Sequence, residues 1–236
     1  MSLAGGLPPD FPVQTTGHDM TISTTTRRRF LEFAGCGAAL AALPAFASPA
    51  FAQAASVSRE ALLKEGPLPD IWMGAKDAPV IIVEYASTTC SHCADFHNGT
   101  FKQLKEKYID TGKVRFVLRE FPLNPVDMGA YMLARCSDDR RDAVVGLLFA
   151  QQRAWANDKP LAGLSQLLRQ TGMTQERFEA CLKDQALYNK LTEARDLAAK
   201  DFGVSSTPTF FVNGTRLVGN VSLAEMEKVI LPGLKT

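Results

Sequence analysis

Apolar and polar residues alternate with two different periods along the chain, and each change of period marks a new segment. Residues 79–87, PVIIVEYAS, form a nearly continuous apolar run rich in β-branched residues, which predicts a buried strand. Residues 113–121, KVRFVLREF, alternate apolar and polar side chains and predict a second strand. Between these strands, apolar residues recur at helical spacing up to Gly112, which is placed to end a helix. Residues 79–121 are therefore predicted to form a β-α-β unit.

The second half of the chain changes character twice. Residues 125–200 contain no strand-like run, and their leucines recur at helical intervals, which predicts a module of about four helices. A strand signal returns in residues 207–219, TPTFFVNGTRLVG, where Asn213-Gly214 between two apolar runs predicts a tight hairpin. A last helix is predicted to begin at Ser222, a capping residue. The predicted order is β-α-β, a helical block, and then β-β-α.

Residues 1–52 have the layout of an export leader. The sequence TRRRFL precedes an apolar run of mostly alanine and leucine, which ends in small residues. This pattern is typical of a twin-arginine signal peptide, with the translation start predicted at Met20 and cleavage near Ala52. The run is shorter than the roughly 20 apolar residues that a membrane span needs. We therefore expect a removed signal rather than a retained anchor, and a periplasmic protein.

The composition excludes some classes of function. The chain has 236 residues, of which 22% are charged, and its net charge is +1 with no long basic run. Nothing here indicates a nucleic-acid partner. Residues 53–78 are interpreted as a lead-in segment with turns, and nothing in it resembles a dimerisation stalk. We therefore expect a monomeric protein with one core.

Two of the five cysteines lie three positions apart in the stretch TTCSHCADFH. Cys90 and Cys93 follow the first predicted strand and begin a predicted helix. A helix amino terminus lowers the pKa of a cysteine, because its unpaired N–H groups and partial positive charge stabilise the thiolate. Cys90 is the predicted attacking thiol and Cys93 its partner, while Ser91 and His92 between them are predicted to tune the pair. A static bridge is disfavoured, since so short a loop would stabilise little.

A non-enzymatic copper- or zinc-binding exported protein is an alternative interpretation of the same stretch. Cys90, Cys93 and His97 could supply three ligands, but a structural zinc site takes four and the sequence has no second pair of ligands. We therefore expect no metal, and His97 is interpreted as a helix-surface histidine. A peptide-binding chaperone with an incidental dithiol is a further alternative.

Cys136 and Cys181 both lie in the helical block, 45 positions apart. An even number of cysteines in an exported chain favours disulfides. We predict a structural bridge between two helices, contributing about 2–4 kcal/mol by loop closure. The alternative is that both are small buried apolar residues.

These features together resemble a known family. A Cys-x-x-Cys between a strand and a helix, with β-β-α following, resembles the thioredoxin fold. The sequences EYASTTCSHC, REFPL and STPTFFVNG, the helical block and the leader narrow the resemblance to the DsbA-like thiol:disulfide oxidoreductases, over residues 69–232. The resemblance implies an α/β thioredoxin-like domain formed by residues 79–124 and 201–236, with an inserted α-helical domain over residues 125–200.

The resemblance also implies roles for three further residues. Glu84, within the apolar strand, matches an acidic residue that sits beneath the dithiol and assists proton transfer; an edge position that reaches solvent is the alternative. Pro208 matches the cis-proline of the family, although the sequence by itself favours a trans bond. The backbone of Thr207 before it would pair with an extended substrate.

The function implied is that of a periplasmic dithiol oxidase without a cofactor. It would accept electrons from unfolded or reduced exported proteins and pass them to a DsbB-like membrane partner. Thr207, however, is more typical of the family's reductases and isomerases. A disulfide isomerase or reductase therefore stays open as the alternative.

Overall fold

The computed structural model describes residues 56–235, and a five-stranded sheet lies at its centre. The strands are β1 (Trp72–Met73), β2 (Val80–Ala86), β3 (Val114–Glu120), β4 (Thr209–Val212) and β5 (Thr215–Val218). Their order is β1-β3-β2-β4-β5, with β2 and β3 parallel and all other neighbours antiparallel. The predicted β-α-β unit and the carboxy-terminal hairpin are confirmed. The lead-in segment contributes the edge strand β1 and a short helix, α1 (Arg59–Leu63), where the sequence predicts only turns.

The helix that follows β2 is shorter than its apolar pattern predicts. It is divided into α2 (Ser91–Asn98), α3 (Thr100–Leu104) and a π-helical turn (Lys105–Ile109). Gly99 separates the first two with φ −116° and ψ −90°, values that no helical residue has. The chain bends there, so that α2 alone forms the segment above the end of β2.

The inserted module has six helices rather than four within residues 125–200, all of which the structure describes. They are α4 (Pro125–Arg135), α5 (Arg141–Ala150), α6 (Gln152–Trp155), α7 (Pro160–Arg169), α8 (Gln175–Leu182) and α9 (Gln185–Phe202). The difference arises because α6 is a single turn, too short to show a periodic pattern, and because only Lys183 and Asp184 separate α8 from α9, too little to interrupt the helical pattern. The last helix, α10 (Leu223–Gly233), begins at Ser222 as predicted, in a capping box with Glu225.

Both faces of the sheet are covered, which explains why β2 reads as a continuous apolar run. Ile81, Val83 and Tyr85 pack with residues of α1 and α9 in one cluster. The alternate positions belong to the opposite face, because successive strand side chains point to opposite sides. There, Val80, Ile82 and Ala86 join the larger cluster that includes α2 and the helical module. Glu84 shares the register of this second set.

The predicted leader lies outside the described residues, together with its start at Met20 and its cleavage site near Ala52. Among residues 56–235, no helix combines the length and the apolar character that crossing a membrane requires.

Candidate active site

Cys90 and Cys93 lie at the amino terminus of α2, as the sequence predicts. Cys90 is the residue that precedes the first turn, and Cys93 lies within that turn. Both are free thiols; Cys90 is partly exposed and Cys93 is fully buried. Only Cys90 is therefore accessible to another protein, which fits an attacking thiol with an inner partner.

The two thiols have opposite acidities. The pKa of Cys90 is lowered to about 5, chiefly by a hydrogen bond from the Cys93 thiol, with help from the backbone N–H groups of Cys93 and His92. The pKa of Cys93 is raised above its usual range by burial, by Cys90 and by the charge of Glu84. At neutral pH the reduced pair therefore carries one proton, held by Cys93, and Cys90 is a thiolate.

Thr207 and Pro208 form the loop that faces Cys90. The Thr207-Pro208 peptide bond is cis, as the family resemblance implies. The Sγ atom of Cys90 lies 3.3 Å from the carbonyl oxygen of Thr207, to which the protonated thiol donates. The side-chain oxygen of Thr207 is buried and makes no hydrogen bond to any described residue. The loop thus brings the Thr207 carbonyl oxygen to the partly exposed sulfur of Cys90.

Ser91 and His92 occupy the exposed start of α2. The backbone N–H of His92 points to Cys90 and helps to lower its pKa. His92 therefore contributes to the thiolate through its backbone.

Glu84 is fully buried in β2, between β3 and β4, so the edge-position alternative is wrong. Its partner is His97, whose Nε2 atom lies 2.8 Å from Oε2 of Glu84. His97 is 8% exposed and stacks on the ring of Phe149 at 4.3 Å between centroids, so its interpretation as a helix-surface histidine is also wrong. The helical spacing could have indicated this burial, because His97 lies four residues after Cys93 and therefore on the same, inner face of α2.

Gln152 is a site residue that sequence reasoning missed. Its side-chain Nε2 donates to the carbonyl oxygens of Thr88 at 2.7 Å and of Cys90 at 2.9 Å. This links α6 of the inserted module directly to the loop that carries the attacking thiol. No sequence signal could have found it, because Gln152 lies 62 positions from Cys90 in a helix of one turn.

Asp127 holds the same loop from another helix. It is fully buried in α4 and accepts a hydrogen bond from the Thr88 N–H at 2.8 Å. It also accepts one from the Leu123 N–H at 2.9 Å. The helix dipole favours an acidic residue in the first turn, but nothing in the sequence indicates that Asp127 is buried or that it bonds to Thr88.

The metal-ligand set considered from the sequence is not assembled. Within residues 56–235, no group of three or more His, Cys, Asp or Glu side chains has a geometry that could hold a metal ion. His97 is engaged with Glu84 instead.

Cys136 and Cys181 form a disulfide with 6.2 Å between their Cα atoms. The bridge joins the end of α4 to α8, so the predicted pairing of two helices is confirmed. The alternative of two separate buried thiols is wrong.

Comparison with known proteins places this fold and site. A thioredoxin family model matches residues 68–231. The solved structure of Wolbachia pipientis alpha-DsbA1 is 31% identical with a TM-score of 0.68, over 74% of this chain and 95% of that one. A protein-disulfide isomerase from Novosphingobium aromaticivorans is 26% identical with a TM-score of 0.62, over 71% of this chain and 98% of that one.

A curated relative from Rickettsia prowazekii (strain Madrid E), provisionally named a protein-disulfide oxidoreductase, is 36% identical over 164 residues. The match covers 68% of this chain and 60% of the relative, so this chain spans about three fifths of its length. The chain belongs to the thioredoxin superfamily, as a DsbA-like member of the thiol–disulfide oxidoreductases.

Proposed function

We propose that the protein is a dithiol oxidase that introduces disulfides into exported proteins through Cys90 and Cys93. The observation that carries the proposal is the lowered pKa of Cys90, about 5, beside a buried Cys93 that keeps its proton. Stabilising the thiolate stabilises the reduced form, which makes the disulfide form a stronger oxidant; DsbA itself is the standard example of this link.

The reaction has two exchange steps. A substrate thiolate attacks Sγ of Cys90, the Cys90–Cys93 bond breaks, and its electron pair leaves on Cys93, which takes a proton. The second substrate thiolate then attacks the substrate sulfur of the mixed disulfide and releases the Cys90 thiolate. The substrate has lost two electrons and two protons, and the protein holds both electrons and one of the protons at neutral pH. A membrane partner of the DsbB type would reoxidise the pair.

Exposed apolar side chains next to the site support binding of unfolded chains. Leu123 is 51% exposed and precedes Asn124, whose side chain donates to the Thr89 hydroxyl at 3.0 Å. Val218, 52% exposed, pairs with Thr209, the first residue of β4 and the one that follows Pro208. An extended substrate that pairs with the Thr207 backbone would lie between the two.

The alternative is a disulfide isomerase or reductase of the same family. It is favoured by Thr207 and by the likeness to a solved structure described as a protein-disulfide isomerase. The periplasm is the proposed location for either activity, and a monomer the proposed state.

The reduction potential of the Cys90–Cys93 pair tests the direction of electron flow. The chain is equilibrated in graded glutathione buffers, and the Cys136→Ser, Cys181→Ser double variant serves as the control for the second bridge. A potential near about −120 mV supports the oxidase, because this value is far above the reduction potential of the glutathione pool. A value near about −200 mV or lower would instead make the isomerase or reductase the better account.

A further inference from the structure

The buried Glu84–His97 pair has a feature that the exchange steps above leave unused. Cys93 and His97 are four residues apart on the inner face of α2, so one turn of helix separates them. Glu84 lies in β2 below this face and bonds to His97 through Oε2. Its other oxygen, Oε1, is buried and accepts no hydrogen bond from any described residue. The carboxyl group thus has one oxygen on His97 and one free to exchange a proton.

His97 also reaches a cavity that the dithiol does not. A cavity of about 390 Å³ lies between α2, α3 and α5, and His97 forms part of its wall together with Met73, Phe101, Lys102, Leu118 and Asp142. Cys93 and Glu84 are not among the lining residues. His97 is therefore the group that connects the buried carboxyl to a space large enough for several water molecules.

We propose that His97 is a proton-relay residue, which moves the proton of Cys93 between Glu84 and water in this cavity. The proposal rests on the function proposed above, since it supplies the proton that the exchange steps require. When the Cys90–Cys93 bond breaks, its electron pair leaves on Cys93. A proton from water in the cavity enters on His97, passes from Nε2 to Glu84 and then from Glu84 to Cys93, which leaves Glu84 a carboxylate and His97 neutral, as before the step. Reoxidation moves one proton outwards by the same path.

Burial of Cys93 is the reason that such a path matters. Cys93 is fully buried, so solvent cannot deliver the proton directly. An exposed site would need no relay, whereas here the proton must cross from Glu84 to the cavity wall. The ring of His97 is fixed by two aromatic contacts: it stacks on Phe149 at 4.3 Å between centroids and meets the tilted ring of Phe101 at 4.7 Å.

Other titratable groups face the pair from each neighbouring element. Glu84 comes from β2, whereas β4 faces it with the apolar Phe210. The remaining groups are Cys93 of α2, Lys102 of α3, Lys105 of the π-helical turn and Asp142 of α5, the last paired with Arg141. The two lysines and Asp142 line the cavity and therefore set the electrostatic field there. Among residues 56–235, no other histidine lines it.

The test distinguishes the reactions of the two thiols, because they occur in successive kinetic phases. The reduced full chain is mixed with one equivalent of 5,5′-dithiobis(2-nitrobenzoate), and the release of nitrothiobenzoate is followed by absorbance. The first phase reports attack by Cys90 and the second reports loss of the Cys93 proton with attack on Cys90. In His97→Gln, the amide group can still donate a hydrogen bond to Glu84, but it cannot accept a proton at one atom and release one from another as an imidazole ring does. We expect its second phase to slow by at least about tenfold, with the first phase within twofold of wild type.

A matched control and a rescue separate a relay from a structural role. Asp95→Asn removes an exposed charge from the same helix and should leave both phases within twofold. In His97→Ala, added imidazole should enter the enlarged cavity and restore the second phase, whereas an equally basic but bulky buffer should not. A second phase in His97→Gln within twofold of wild type, or no rescue by imidazole, would overturn the proposal.

Two further measurements keep the test decisive. If the His97 variants do not fold, the wild-type chain in heavy water decides: a relay predicts that the second phase slows at least twofold while the first hardly changes. Equal slowing of both phases would contradict it. Failure of the proposed function is read separately, from the reduction potential of the wild-type Cys90–Cys93 pair: an isomerase or reductase would have a potential near that of the glutathione pool, while both phases and their dependence on His97 stayed as expected.

Discussion

The acidity of Cys90 predicts how the stability of the reduced protein depends on pH. In the folded protein its pKa is about 5, while a cysteine in an unfolded chain has a pKa near about 8.5. Between these values the unfolded chain binds one proton more than the folded chain, so the stability of the reduced form rises with pH. This gain is present above the unfolded value and is lost as the pH falls through about 5. Cys93 adds nothing below about pH 8.5, because it is protonated in both states.

The size of this effect follows from the pH interval. One pH unit corresponds to about 1.4 kcal/mol for one proton, so the two units from pH 5 to pH 7 correspond to about 2.7 kcal/mol. Cys90 is partly exposed, and solvent screens its interactions. We therefore expect a gain of about 1–2 kcal/mol for the reduced form at pH 7 relative to pH 5.

Urea unfolding of the reduced and the oxidised protein at pH 5, 6, 7 and 8 measures this effect. In the difference in unfolding free energy between the two forms, the contributions of the other titrating groups cancel. Thiolate absorbance in the far ultraviolet gives the pKa of Cys90 independently. The Cys90→Ser variant is the control, because its stability should lack this pH-dependent contribution. A difference that stays flat from pH 5 to pH 8, with a Cys90 pKa near about 8.5, would refute the reasoning.

Three further predictions concern individual contacts that stabilise the fold. Gln152→Ala removes two hydrogen bonds to the Thr88 and Cys90 carbonyls and should cost about 1–3 kcal/mol in urea unfolding; an unchanged midpoint would contradict this role. The Cys136→Ser, Cys181→Ser variant should lose about 2–4 kcal/mol while its Cys90–Cys93 pair still exchanges, and loss of exchange would tie the second bridge to the chemistry. Burial opposes ionisation of Glu120, but Arg141 and Arg135 lower its pKa to about 2, so that it is ionised at pH 7. Glu120→Gln leaves both arginines without their charged partner, and the free energy of unfolding at pH 7 should fall by about 3–5 kcal/mol, measured by thermal unfolding. A loss below about 1 kcal/mol would mean that the buried ion pairs contribute little.

The parts of the site that could be predicted are those with a local signal. Cys90 and Cys93 were predictable from their spacing and from their position at the start of a helix. Glu84 was predictable because it is a charged residue within an otherwise apolar strand. The strands of the central unit are equally local, since both faces of β2 are covered and its apolar run is unbroken except at Glu84.

The parts that could not be predicted depend on contacts between distant segments. His97 looks like a surface residue until its partner on β2 is known, and Gln152 reaches a loop 62 positions away. The cis bond at Pro208 was available only through the family resemblance, because the local preference of an X-Pro bond is trans. The break at Gly99 depends on how α2 and α3 pack, which the helical pattern alone does not register.

The central claim, that Cys90 and Cys93 oxidise other proteins, is tested most directly by disulfide transfer. The oxidised chain is mixed with a reduced, unfolded protein of known disulfides, and free substrate thiols are counted after an acid quench. The account predicts the loss of two substrate thiols for each molecule of oxidised chain, with none lost in the Cys90→Ser variant. No loss of thiols, together with rearrangement of a scrambled substrate by the reduced chain, would contradict the oxidase and identify an isomerase.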